Sequence, residues 1–148
     1  MEKDELVKLL NQIFIPIGFK RKRNKWISNG DVLIKIVDLQ RSYYSKSYYI
    51  NYGYIIKRLE LTTTTHLYNR LGGSNKDKQK SITALLDLEN NISDEQRLTE
   101  LRKIIVDEVA NEIQLINTEE DLLDEIKKLP YLSMVPLVVK NHFKLEIE

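Results

Sequence analysis

The sequence predicts a single α+β domain: an N-terminal helix, a three- to four-stranded antiparallel sheet, and C-terminal helices packed on one face of that sheet. Apolar residues recur at helical spacing near the N-terminus and again after residue 93. Between these segments lie stretches rich in β-branched and aromatic residues, which are typical of strands. The 148 residues fit one domain, residues 1–148, and contain no internal repeat.

The first helix is predicted over residues 3–15. Its apolar positions recur at spacings of three and four: Leu6, Leu9, Leu10, Ile13 and Phe14. Two carboxylates stand in its first turn, where they interact favourably with the helix dipole. Pro16 and Gly18 are expected to end it.

Asn29-Gly30 predicts a β-hairpin, because both residues of a type I′ turn need positive φ and this pair adopts it readily. Strands are expected at 19–28 and 31–41, with Trp26 opposite Leu33 and Arg21 opposite Asp38. One face of the hairpin then carries Trp26, Leu33, Val37 and Leu39, and the other carries Phe19, Ile27, Val32, Ile34 and Ile36.

A third strand is predicted from Tyr48 to Arg58, with its even-numbered positions the more buried. Gly53 in its middle indicates a bulge or a close approach of another backbone segment. The pattern weakens over residues 62–80, of which 72–80 resemble a mobile loop. Residues 83–89 are interpreted as a fourth strand.

Helical signals dominate the C-terminal part. Ser93 and Gln96 form a capping-box pattern at the start of a helix of about twenty residues. Thr118 begins another helix, which Pro130 ends. The sequence does not define the conformation of residues 131–148.

Charge is distributed unevenly along the chain. Residues 1–80 contain 16 Lys and Arg against seven Asp and Glu, whereas residues 81–148 contain seven against 15. The basic part is therefore available to an external polyanion, or else the acidic helices fold back and neutralise it. The acidic helices also have a second use, since a dense carboxylate surface can imitate a polyanion and block a basic toxin or nuclease.

Several classes of protein are not expected. The absence of cysteine, of a membrane-length apolar run and of a signal-peptide pattern favours a cytoplasmic protein without a membrane partner. No catalytic or phosphate-binding motif occurs, so no enzymatic activity, catalytic residue, cofactor or metal is predicted. His66 and His142 are interpreted as surface or hydrogen-bonded residues, and Asp87 with Glu89 lacks a third metal ligand.

The run Lys20–Lys25 contains five cations in six positions. In a single strand, Lys20 and Lys22 would lie on one face and Arg21, Arg23 and Lys25 on the other, so they would not face one ligand together. A solvated hairpin is therefore preferred over a nucleic-acid site. If the run is such a site, the predicted phosphate contacts are Lys20, Lys22 and Arg41.

Six of the eight tyrosines lie within residues 41–54. Tyr43, Tyr44 and Tyr49 fall outside the buried positions of the third strand. Exposed tyrosines are typical of protein interfaces, and they also stack on unpaired bases. The alternative is that they are present because tyrosine favours strands.

Several stretches resemble the bacterial family catalogued as domain of unknown function 4304. The likeness lies in Pro16–Lys22, Trp26, Asp38–Ser42, Tyr49–Gly53 and Arg70-Leu71-Gly72. It implies a small bacterial cytoplasmic protein with an α+β fold and no known catalytic residue. Small families of this kind often accompany secreted toxins as immunity proteins.

The resulting hypothesis is a non-catalytic module that binds another protein, with an immunity or antitoxin role as its specific form. The alternative is a nucleic-acid-binding module. The candidate binding residues for either are Lys20, Lys22, Arg41, Tyr43, Tyr44 and Tyr49. The sequence leaves the partner and the oligomeric state open.

Overall fold

A five-stranded antiparallel sheet lies at the centre of the computed structural model, which describes residues 1–145. The strands are β1 (Lys20–Lys22), β2 (Lys25–Asn29), β3 (Leu33–Arg41), β4 (Tyr48–Ile56) and β5 (Leu67–Arg70). They pair in the order β1-β2-β3-β4-β5, so each strand pairs with its neighbours along the chain. The sheet thus has five strands, whereas the sequence predicted three or four.

Helices precede and follow the sheet, which confirms the α+β class. They are α1 (Lys3–Phe14), α2 (Lys76–Leu86), α3 (Asp94–Ile105), α4 (Asn111–Ile113), α5 (Glu119–Lys127) and α6 (Leu137–His142). A short 3-10 turn, Ile15–Ile17, follows α1, and a π-helical segment, Val106–Ala110, joins α3 to α4. The predicted N-terminal helix is confirmed to within one residue.

The helices cover one side of the sheet, called here the inner face. Trp26 is fully buried there, and its Nε1 donates a hydrogen bond to Asn11 Oδ1 of α1 at 2.9 Å. The predicted partners of Trp26 on this face are all buried: Leu33, Val37 and Leu39. The predicted division of apolar residues is therefore correct within β2 and β3. Phe19, predicted on the opposite face, is instead buried, with its ring centroid 5.3 Å from that of Phe14 in α1.

The predicted turn between β2 and β3 is wrong by two residues. The Gly30 amide donates to Leu33 O at 3.0 Å, so the chain reverses at residues 31–32. Neither Asn29 nor Gly30 has positive φ. Gly30 serves a close approach instead, because a Cβ there would lie 2.9 Å from Leu33 O. Trp26 is paired with Val37, and the even shift leaves each side chain on its predicted face.

Residues 19–28 do not form one strand. The chain reverses again at Arg23 and Asn24, where Arg23 has φ 58° and its carbonyl accepts a hydrogen bond from Arg21 Nε at 2.8 Å. Lys22 consequently pairs with Lys25. A run of cations conceals this turn, because arginine is an uncommon residue at positive φ.

The extra reversal changes the pairing of the basic residues. Arg21 lies opposite Trp26, and Lys25, not Arg21, lies opposite Asp38. Lys20 and Lys22 therefore share a face with Lys25, whereas the sequence interpretation separated them.

β4 has the predicted pattern, and its register with β3 is continuous, so it contains no bulge there. Gly53 instead serves a close approach: a Cβ at this position would lie 2.5 Å from Leu67 O and 3.1 Å from Thr65 Cγ2. The chain leading into β5 thus runs directly against the centre of β4.

Two expectations for residues 72–89 are wrong. Helix α2 occupies most of this stretch, and Asn75 Oδ1 caps it by accepting from the Lys78 amide at 3.1 Å. Instead of a fourth strand, the residues after α2 form a single bridge between Ser47 and Asp87. The buried residues Ile82, Leu85 and Leu86 have helical spacing, but polar residues precede them and obscure the pattern.

The long C-terminal helix is confirmed from residue 94 to residue 113, with the π-helical segment inside it. Ser93 Oγ accepts from the Gln96 amide at 3.1 Å. Thr118 and Asp121 form a complete capping box at the start of α5. Of the tail left undefined by the sequence, residues 137–142 form α6, and residues 146–148 lie outside the described residues.

Candidate binding surface on the open sheet face

The side of the sheet opposite the helices is called here the open face. A row of five side chains crosses it, one from each strand, because each residue is the cross-strand partner of the next. This polar row consists of Lys22, Lys25, Asp38, Asn51 and Arg70. The side-chain hydrogen bonds of this row, among residues 1–145, all join strand residues to one another.

Asn51 connects the members of the polar row. Its Nδ2 donates to Gln40 Oε1 at 2.9 Å and approaches Asp38 Oδ2 at 3.5 Å. Its Oδ1 accepts from Arg70 Nε at 2.9 Å. Arg70 Nη2 also lies 3.2 Å from Gln40 Oε1 and 3.3 Å from the Tyr68 hydroxyl. Because Asn51 is buried and fully engaged, it holds these groups in fixed positions.

Arg70 is also held by an aromatic ring. Its guanidinium carbon lies 4.2 Å from the centroid of the Tyr49 ring, within the range of a cation–π interaction. Tyr49 is consequently half-buried beneath Arg70 and is less exposed than Tyr43 and Tyr44. This predicted site residue belongs to the polar cluster of the open face.

Three lysines gather at the β1–β2 end of the open face. Lys20, Lys22 and Lys25 are all exposed, and none takes part in the ion pairs found among residues 1–145. Lys22 and Lys25 lie directly opposite each other, an arrangement of like charges that destabilises a strand pair. The protein therefore maintains a local excess of positive charge at this position.

Arg41, the third predicted cation, lies at the end of β3. It lines an open groove of about 730 Å³ together with Lys22, Arg23 and Lys25. The structure thus brings Lys22 and Arg41 together as expected and adds Lys25 to them. Lys20 lies two pairs further along the same hairpin, opposite Ile27.

Tyr43 and Tyr44 lie in the loop that joins β3 to β4. Their side chains are 95% and 96% exposed. The Ser42 amide closes the loop by donating to Ser47 O at 2.9 Å, and Arg41 immediately precedes this closure. Two aromatic rings are thus displayed beside the basic groove.

The acidic helices neutralise other cations. Arg58, just after β4, makes two hydrogen bonds to the Glu119 carboxylate at 2.5 and 3.0 Å, and Lys78 pairs with Glu108 at 2.9 Å. Hydrogen bonds from Arg58 and from His142 lower the pKa of Glu119 to about 2. The acidic half thus compensates cations outside the β1–β2 hairpin.

The two histidines have hydrogen-bond partners, as the sequence interpretation expected. His66 Nδ1 accepts from the Ile56 amide at 2.8 Å, and its Nε2 lies 2.7 Å from Glu60 O. His142 Nε2 lies 2.5 Å from Glu119 Oε1. Their rings are thus committed to internal contacts.

The described residues contain no cluster of three or more metal-ligating side chains. Asp87 and Glu89 do not share a strand face, because they follow α2 in a turn where the Glu89 amide donates to Asp87 Oδ1 at 3.1 Å. Nor does any helix in residues 1–145 combine the length and apolar character needed to cross a membrane.

Sequence reasoning did not identify Lys25, Gln40, Asn51 and Arg70 as a group. A usable signal was present, because the stretches Asp38–Ser42, Tyr49–Gly53 and Arg70-Leu71-Gly72 each contribute a side chain to the cluster. What the sequence could not supply was the register that aligns these stretches across three strands.

The same stretches agree with the comparison to known families. The family described as "Domain of unknown function (DUF4304)" matches residues 10–129, and the chain belongs to this family. No curated protein and no solved structure matches the chain.

Proposed function

We propose that this protein is a non-catalytic module that binds single-stranded nucleic acid on its open face. The observation that carries the proposal is the reversal at Arg23 and Asn24, which brings Lys20, Lys22 and Lys25 onto one face. None of the three is neutralised by an ion pair within residues 1–145. A phosphate backbone would supply the missing counter-charge.

Features near the lysines support the same ligand. The groove beside Arg41 has a volume of about 730 Å³ and is lined by cations of β1, β2 and β3. Tyr43 and Tyr44 offer exposed rings for stacking, which tolerates any base because every base has a π-face. The amide groups around Asn51 add fixed hydrogen-bonding groups at the centre of the surface.

The sequence alone favoured protein binding over nucleic-acid binding, and the structure gives a physical reason to reverse that order. A single strand would have directed Lys25 away from Lys20 and Lys22, and that separation argued against a shared polyanion. The two-residue turn removes the objection, because cations of both β1 and β2 now lie on the same side.

Fluorescence anisotropy with a labelled single strand of about ten nucleotides, measured between about 50 and about 200 mM salt, tests the proposal. We expect binding that weakens as salt rises. The variant Lys22→Gln/Lys25→Gln should bind roughly tenfold more weakly, with a salt slope shallower by about 1 to 2, because two phosphate contacts are lost.

Lys103→Gln/Lys127→Gln provides the matched control, since it removes the same charge from exposed positions on α3 and α5. It should retain at least about half of the wild-type affinity, because only a long-range, screened charge effect is changed. Equal losses in the two double variants, or no binding by the wild type at low salt, would contradict the proposal.

A protein partner is the second candidate. It is favoured by half-buried isoleucines on the open face beside the polar row, Ile27, Ile34, Ile36 and Ile55. In this alternative the partner is a bacterial cytoplasmic protein, such as a toxin blocked by an immunity protein. Capture of a stoichiometric partner from nuclease-treated lysate, lost with Ile36→Glu but retained with Lys22→Gln/Lys25→Gln, would favour it.

A further inference from the structure

A cavity of about 160 Å³ lies between the first residues of β4, the end of β5 and helix α2. Its floor consists of buried apolar side chains, namely Ile50, Leu71, Ile82 and Leu86. An apolar cavity of about 150 Å³ is known to accommodate benzene. The space therefore suits one six-membered ring.

The rim of this cavity is polar. Gln79 and Thr83 contribute from α2, and Arg70 contributes from β5. Gln79 Nε2 donates to Gly73 O, which leaves its Oε1 available as an acceptor. Thr83 is exposed, and its hydroxyl offers both a donor and an acceptor at the rim. A ring with donors and acceptors on its edge would pair with these groups, whereas a purely apolar ring would not.

Tyr48 adds a second unengaged group. Its side chain lines the cavity and is only 4% exposed, and its hydroxyl makes no hydrogen bond within the described part of the chain. This hydroxyl is reached by solvent, since it is not among the buried polar atoms that lack a partner in residues 1–145, and it can pair with a ligand donor or acceptor. The cavity therefore offers hydrogen-bonding capacity that the fold itself leaves unused.

The cavity is continuous with the open face. Tyr49 and Arg70 belong to its lining and also to the stacked pair at the end of the polar row. Five strands separated by about 4.8 Å place this end roughly 19 Å from the lysines of β1. An extended strand held by phosphate contacts at the lysines would thus lead to the mouth of the cavity.

Resting on the proposed function, we infer that the cavity takes one unstacked pyrimidine base of the bound strand. A pyrimidine is a single six-membered ring with donors and acceptors on its edge, and it matches both the volume and the rim. A purine has a second fused ring, so its outline is longer and its edge groups would not meet the same rim side chains. The open face would therefore bind any single strand and would prefer pyrimidines at one position.

The test compares labelled oligothymidine and oligoadenine of equal length at the same salt concentration. We expect oligothymidine to bind about tenfold more tightly, which is the scale of one base-stacking contact. Thr83→Phe places a ring across the mouth of the cavity and should abolish this preference while the salt slope is unchanged. Ser81→Phe, at another exposed position of α2, should retain the preference.

Circular dichroism and thermal melting establish that both variants are folded before binding is measured. Equal affinity for the two oligonucleotides, or a preference that persists in Thr83→Phe, would overturn the cavity inference. In that case the salt-dependent binding itself would still stand. If neither oligonucleotide binds, both the cavity inference and the proposed function are overturned.

Discussion

The two faces of the sheet treat positive charge differently. On the inner face, Lys35 Nζ donates to Ile113 O at 2.6 Å and to Asn117 Oδ1 at 2.8 Å. Desolvation lowers the pKa of Lys35, and the charge of the Asp121 carboxylate partly opposes this shift. On the open face, Lys22 and Lys25 lie opposite each other, exposed and outside the ion pairs of residues 1–145.

This difference separates charges that serve the fold from charges that serve a ligand. Lys35 satisfies a carbonyl at the end of α4, where an orphan acceptor would otherwise be buried. Within residues 1–145, the side chains of Lys22 and Lys25 form no ion pair, and their proximity opposes pairing of β1 with β2. Two adjacent like charges that destabilise the fold are expected at a site where the negative charge of a ligand neutralises them.

Replacing the inner lysine should have the largest effect. Lys35→Met retains the apolar stem but leaves Ile113 O and Asn117 without their donor, so we expect the free energy of unfolding to fall by about 3 kcal/mol. Urea denaturation measures it. Lys25→Met is the matched control and should change stability by less than about 0.5 kcal/mol. Equal losses of stability in Lys35→Met and Lys25→Met would contradict the claim that only the inner-face lysine stabilises the fold.

Asn51 should show a smaller effect on both stability and binding. Asn51→Ala removes the acceptor of Arg70 Nε and the donor to Gln40. Because Gln40 and Arg70 are themselves exposed and can be hydrated, the loss of stability is limited to about 1 kcal/mol. Oligonucleotide affinity should fall because Arg70 is no longer held. Asn111→Ala, an exposed amide of α4 away from the open face, serves as the control. Unchanged affinity in Asn51→Ala would exclude the polar row from the binding surface.

The smallest effect on stability is expected when acid protonates Glu119, the carboxylate that pairs with Arg58. The pKa of Glu119 lies at about 2 in the folded protein, below its ordinary value of 4.5, chiefly because Arg58 donates to it. Its contribution to stability is therefore present above pH 4.5 and is lost as pH falls toward 2. The gain is modest, since Arg58 is largely exposed.

Urea denaturation at a series of pH values checks this prediction. The difference in stability between the wild type and Glu119→Gln should shrink as pH falls from 4.5 toward 2. Glu120→Gln, at an exposed neighbouring position, should not reproduce this dependence. A difference that stays constant across this pH interval would contradict the assignment of Glu119 as a compensating carboxylate.

Helices with strong periodicity and capping residues were predictable from the sequence. The spacing of the apolar residues of α1 and the caps at Ser93 and Thr118 define elements through local contacts alone. Helix α2 was missed because its first turns are polar and exposed. Its formation depends on the burial of Ile82, Leu85 and Leu86 against the rest of the fold.

The binding surface was predictable only in part. Lys20, Lys22, Arg41 and the exposed Tyr43 and Tyr44 were recognised from composition, because clustered charge and aromatic rings are visible in the sequence. Lys20 and Lys22 were assigned to the face of Trp26, away from Lys25, since the turn at Arg23 has no sequence signal.

Buried polar residues were also beyond local patterns. Arg97 is fully buried in α3. Its Nη1 donates to Leu85 O and, at 2.9 Å, to Asp87 O, and its Nη2 donates to Asn90 O at 2.9 Å. Asn51 is buried within a strand for a similar reason, because its partners come from β3 and β5. Such positions depend on contacts between distant segments, which no pattern along the chain specifies.

The most direct measurement for the central claim is an NMR titration of the isotopically labelled protein with a short oligothymidine. The account predicts that amide shifts concentrate on residues 20–25, on Gln40 and Arg41, and around Asn51 and Arg70. Amides of α3 and α5 should shift little. Shifts confined to those helices, or an unchanged spectrum at low salt, would contradict the claim that the open face binds a polyanion.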